Sequence, residues 1–134
     1  MIGKPRAQAV LRRVLPALCV SLWIAAFAAS HIPAERMPEM PTSPTRLHVI
    51  GFFALGSVLL ATLTAYGVRT WRRVAIALII LAIYAAVDEA TQPFFNRHGT
   101  LEDWQADILG SVIAVVLWEG SCHVVRLLRS RRTA

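Results

Sequence analysis

Four stretches of the chain avoid ionisable side chains for nearly the width of a bilayer, and charged or turn-rich segments separate them. The first spans residues 14–30, behind Arg12 and Arg13. The second spans 47–68, with His48 near its start, and the third spans 74–92, with Asp88 and Glu89 in its final turn. The fourth spans 108–125 and is interrupted by Glu119 and His123. A helix crosses a hydrocarbon core of ~30 Å with about 20 residues, so each stretch is long enough. None of them alternates with the period of a strand, and helices satisfy their own backbone groups in lipid. The pattern predicts an all-α fold, an integral membrane bundle of four transmembrane helices in a single domain over residues 1–134.

Composition agrees. Of the 134 residues, 56% are hydrophobic and 16% charged, and the mean hydropathy is +0.54. A water-soluble domain this small could not hide so much apolar surface, and disordered chains are polar. The formal charge of +6 would suggest nucleic acid, but the positions of the charges exclude that partner. Eleven of the fourteen basic residues lie before the first span, between the second and third, or after the fourth. In an up-down-up-down bundle these fall on one side, and the positive-inside rule makes both termini cytoplasmic. Such a chain belongs in a membrane as a multi-pass protein among membrane lipids.

The N-terminus also has the layout of a secretory signal, with Ala26-Phe27-Ala28 as a cleavage site. An uncleaved span fits better, because the charge asymmetry needs an even number of crossings. Cys19 and Cys122 sit in apolar runs without paired spacing and read as small buried hydrophobes.

The opposite side of the bundle collects the acids. Seven of them, Glu35, Glu39, Asp88, Glu89, Glu102, Asp103 and Asp107, against Arg36, Arg46 and Arg97 leave that side at −4. Eleven bases and Glu119 leave the cytoplasmic side at +10. The first outer loop carries Pro33, Pro38, Pro41 and Pro44, and the last three are spaced to favour an extended polyproline-like segment. Asp88 and Gln92 are four apart and Glu89 and Gln92 three, so all three share a helical face in the turn before Pro93. Carboxylates there meet the negative end of the helix dipole and call for cationic partners; Arg46 and Arg97 are the candidates by topology. Asp103, Asp107 and Gly110 form a stripe on the fourth helix, where Gly110 would admit a close neighbour.

Structural roles compete with these. Thr100 followed by Asp103 matches a capping box, and arginine–acid pairs would also hold helices together. His31 and His48 flank the first outer loop, but their separation fits no helical ligand spacing, so no metal is assigned. Glu119 and His123 are expected to form a helix-end pair with Arg126 or a neighbour. No phosphate loop, nucleophile elbow or redox CxxC is present, and no cofactor is expected.

The run Asp88-Glu89-Ala90-Thr91-Gln92, followed by Arg97, Asp103, Asp107 and Gly110, resembles the signature of the VanZ-like family. These are small bacterial membrane proteins named for a teicoplanin-resistance protein. Their second helix typically opens with Asp-Lys, two residues and a histidine. Here Thr45-Arg46-Leu47-His48 keeps the cation and the imidazole, Thr45 replaces the acid, and Asp107 stands where asparagine is common. The resemblance covers roughly residues 31 to 118. It implies a cell-envelope protein of the bacterial cytoplasmic (inner) membrane with a polar site facing outward, and it carries no settled reaction.

The resulting expectation is an outward-facing acidic/arginine site that binds a polar head group or a cell-wall precursor. Asp88, Glu89, Asp103 and Asp107 would receive cationic or hydroxyl groups beside His48. Gln92 would orient them, and Arg46 and Arg97 would hold acidic groups. If the site is catalytic, one carboxylate would act as general acid or base beside its ionised neighbour. The alternative is a non-catalytic accessory subunit packed against a larger membrane protein complex through its small-residue helix faces.

Overall fold

The structure, a computed structural model, describes residues 4–36 and 42–131. It contains four long helices: α1 Lys4–Ser30, α2 Pro44–Ala65, α3 Thr70–Thr91 and α4 Leu101–Arg131. Short 3-10 turns cover Ala34–Arg36 and Gln92–Phe95. All four helices are long and apolar enough to cross a membrane, and no strand occurs among the described residues. The all-α four-helix bundle read from the pattern is the observed architecture.

The helix ends differ from the limits of the apolar runs. Both α1 and α4 continue well into their arginine-rich flanks, because arginine is a good helix former whose head group reaches water. By contrast, α2 stops at Ala65, three residues before its apolar run does. Gly67 there takes a left-handed φ of 76°, and the Gly67 and Val68 amides donate back to the Thr64 and Leu63 carbonyls in a Schellman cap. At its other end, Pro44 opens α2 and the Ser43 hydroxyl accepts from the Arg46 amide at 3.4 Å. Pro44 is thus helical and not part of an extended segment, while Glu39, Pro38 and Pro41 lie outside the described residues.

Helices α2 and α4 form the main interface, α1 lies along α2, and α3 packs on both α2 and α4. The core is Phe52, Leu55, Leu59, Leu60, Ala77, Leu81, Ala85, Ala114 and Val115. No residue in the apolar window of α1 is fully buried, although Cys19, Leu22, Trp23 and Ala26 pack half-buried against the core. Ile24, Ile79, Ile83 and Val116 are exposed, as lipid-facing side chains should be. Gly110 sets the α2–α4 spacing: a Cβ there would run into the Val49 carbonyl. The expected close approach at Gly110 is therefore real and fixes which side chains of α2 face α4.

Side-chain bonds to backbone carbonyls mark the antiparallel order of α1 and α2. The Arg12 guanidinium donates to the Ala65 carbonyl at 2.9 Å, and the Tyr66 hydroxyl donates to the Arg12 carbonyl at 2.8 Å. One end of the bundle therefore holds the start of α1, the α2–α3 turn and the end of α4. The other end holds the end of α1, the start of α2, the end of α3 and the start of α4, and the last two carry the acids.

Candidate functional site

At the acid-bearing end, the last turn of α3 meets the first turns of α2 and α4. Asp88 is 2% exposed and Asp107 is fully buried. Carboxylates buried this deeply need partners, and those of Asp88 are a hydroxyl from α1 and an amide from its own helix end. The Ser30 hydroxyl donates to Asp88 Oδ1 at 2.7 Å, and the Gln92 amide donates to Oδ2 at 3.2 Å. The same Gln92 nitrogen donates to Glu89 Oε1 at 3.2 Å. Gln92 thus bridges the two acids, as its spacing on the helix required.

The basic neighbours of these acids are histidines. His31 Nδ1 lies 3.8 Å from Asp88 Oδ1, and its ring is stacked on Phe27 with centroids 3.9 Å apart. Nδ1 is also 2.7 Å from the Phe27 carbonyl, which only accepts, so the proton sits on Nδ1. Nε2 meets the Thr91 hydroxyl at 2.8 Å. His48 Nδ1 lies 2.9 Å from Asp107 Oδ1 and 3.8 Å from Glu89 Oε1. The first of these is a hydrogen bond donated by the imidazole, while the second is too long to be one. The second oxygen of Asp107, Oδ2, is buried without a hydrogen-bond partner.

Arginine plays a smaller part here than the sequence suggested. Arg46 is exposed on the first turn of α2, outside the cluster. Arg97 is half-buried and donates to the Ile32 carbonyl at 3.4 Å. Histidines supply the basic groups because His31 directly follows α1 and His48 faces α4 across the spacing set by Gly110, and both are already inside the bundle. The long Arg46 side chain starts on the outer face of α2.

The capping box at Thr100 is present, in modified form. The Thr100 hydroxyl accepts from the Asp103 amide at 3.0 Å and donates to Asp103 Oδ2 at 2.9 Å. The Thr100 amide, which the acid of an ordinary capping box would take, donates instead to Glu89 Oε2 at 2.8 Å. Glu89 stands at the unfavourable end of its own helix dipole, yet it faces the positive end of α4. Gly99 makes this possible, since a Cβ at that position would strike the Glu89 carbonyl.

His48, Glu89 and Asp103, from three different helices, each offer a donor atom within 4.8 Å of the others. The sequence separation that argued against a metal does not apply to this set, which the tertiary fold assembles. Beside it, a cavity of about 370 Å³ opens between α1, α2 and α3. Its walls include Ala26, Leu47, Gly51, Phe52 and Leu55, and its polar end is Ser30, His48, Tyr84, Asp88 and Arg97.

Of the residues singled out by sequence, the fold therefore gathers His48, Asp88, Glu89, Gln92, Asp103 and Asp107. Arg97 stands at the cavity rim, and Arg46 is left outside. Sequence reasoning missed Ser30 and Thr91, ordinary helix-end hydroxyls, and Tyr84, whose hydroxyl donates to the Trp23 carbonyl at 3.0 Å.

At the opposite end the partner of Glu119 comes from a neighbouring helix, not from Arg126. Glu119 takes a bidentate salt bridge from Arg73 of α3, through Nε and Nη2, both at 2.7 Å. Arg126 donates to the Thr70 hydroxyl at 3.3 Å, and His123 is exposed. Arg73 is buried, and Glu119 is the acid within its reach. Both cysteines are free and half-buried, less enclosed than their apolar surroundings implied.

No family model, curated protein or solved structure matches the chain.

Proposed function

We propose that the chain is a VanZ-like protein of the bacterial cytoplasmic membrane whose acid-bearing end faces outward and binds the head group of an amphiphile. A membrane lipid or lipid-linked cell-wall precursor fits the description. The observation that carries this reading is the cavity, which joins an apolar wall from α1 and α2 to a polar end at Ser30, His48, Asp88 and Arg97. Ligand sites take this form, mostly apolar with a few convergent polar groups. Because α1 buries little of itself against the rest of the chain, an acyl chain can enter from the lipid beside it. Asp88 would receive hydroxyl or cationic groups and Arg97 acidic ones. The charge asymmetry supports the outward orientation.

Gly51 provides a clean test. It lines the cavity, and a Cβ there meets nothing within 4 Å, so Gly51→Leu fills the space and favours the helix. Native mass spectrometry of the protein extracted in mild detergent should detect a retained amphiphile in the parent and a loss of most of it in the variant. Equal retention would overturn the reading. Stoichiometric co-purification with a large assembly, and no retained lipid, would favour the accessory-subunit alternative. A reporter fused at residue 97 and scored as cytoplasmic would reverse the orientation.

A further inference from the structure

We propose that His48, Glu89 and Asp103 bind a divalent transition-metal ion of the zinc class, with Asp107 holding the imidazole in place. This goes beyond amphiphile binding and does not depend on it.

Three observations converge. The donor atoms of the three residues already lie within 4.8 Å of one another. An ion with bonds of ~2.1 Å to tetrahedral ligands holds those ligands about 3.4 Å apart, so each side chain needs only a small rotation to close on it. Because Asp107 holds His48 Nδ1, Nε2 is the nitrogen left to take the ion. Second, Asp107 is fully buried on α4 with one oxygen on the imidazole at 2.9 Å and the other without a donor. Such an orphan carboxylate oxygen beside three more ligating side chains marks missing positive charge. A carboxylate that orients a histidine is also the usual outer partner of a metal-bound imidazole. Third, the mixed set of one imidazole and two carboxylates selects among cations. Calcium and magnesium take oxygen ligands, whereas imidazole suits zinc and its neighbours.

The other bonds at the site are compatible with this role. Glu89 Oε2 caps α4 through the Thr100 amide while Oε1 takes one long bond from the Gln92 amide and keeps a second lone pair, and Asp103 Oδ2 takes the Thr100 hydroxyl. An ion there would cross-link α2, α3 and α4 at the mouth of the cavity.

The test uses cobalt(II), a spectroscopic stand-in for zinc, titrated into the full chain purified in detergent, freed of lipid and treated with chelator. The expected result is one cobalt per chain with visible ligand-field absorption. His48→Ala and Asp103→Asn should each weaken binding at least tenfold, whereas Glu102→Gln, an exposed acid of the same turn, should bind as the parent does. Circular dichroism and gel filtration report whether each variant keeps its fold. If both lose it, protection of His48 from diethyl pyrocarbonate by cobalt in the parent decides. Substoichiometric cobalt, unchanged affinity in folded variants, or absence of protection would each overturn the proposal. Because the protein is freed of lipid, the result is independent of whether an amphiphile occupies the cavity.

Discussion

Arg73 and Glu119, at the end of the bundle where α1 begins and α4 finishes, meet through two bonds of 2.7 Å, and a third donor of Arg73 reaches the Val68 carbonyl at 3.2 Å. At the opposite end Asp107 meets His48 through one bond of 2.9 Å and keeps an oxygen with no partner. Both pairs join neighbouring helices through buried or half-buried charge. One is saturated, with opposite charges in a planar fork that matches both carboxylate oxygens. The other is deficient in positive charge, since an imidazole is one ring among several acids and is charged only when protonated. Saturated pairs lock helices together, whereas deficient ones leave room for a further partner.

That contrast can be broken or sharpened by mutation. The largest effect should come from Arg73→Ala, which strands Glu119 between helices. Breaking a buried pair in this way costs on the order of 3 kcal/mol, seen as a large drop in the melting temperature in detergent. Replacing both partners by Met and Leu should recover most of it. An unchanged melting temperature in the single variant would show that the pair is not structural.

Gly110→Ala should come next, at about 1–3 kcal/mol for overpacking. The added methyl meets the Val49 carbonyl, so α2 and α4 must separate and the His48–Asp107 contact should lengthen with them. Stability and cobalt affinity should fall together, and a loss of stability alone would separate the interface from the site.

Thr100→Ala removes the α4 cap, worth about 1 kcal/mol, and is measurable as a lower melting temperature. The smallest stability change is expected at Asp107→Asn, within about 1 kcal/mol in either direction, since the variant removes an unsatisfied charge while keeping a hydrogen bond to the imidazole. Its cobalt affinity should nevertheless fall about 10- to 100-fold, as outer-sphere partners usually cause. A destabilisation as large as that of Arg73→Ala would mean that both ends are structural.

Much of this was legible in the chain. The four spans follow from segment length, and the Asp88–Gln92–Glu89 bridge follows from helical spacing, because both are local properties with a fixed period. Gly110 was readable as a point of close approach for the same reason. The partners of the acids were not. Arg46 looked suitable by topology, but its position on the outer face of α2 is settled by how that helix is rotated. His48 and Ser30 reach Asp107 and Asp88 only after the helices dock. Glu119 likewise passed over Arg126 on its own helix for Arg73 on the neighbouring one.

What the sequence determined alone is therefore one-dimensional: the number of helices, their approximate extent, and the end that carries negative charge, all set by hydropathy and by positions along a single helix. Tertiary structure decided the pairings, the cavity beside α1 and the convergence of His48, Glu89 and Asp103. Those depend on the relative rotation and spacing of helices, which close backbone contacts such as Gly110 on Val49 fix only once the bundle has formed.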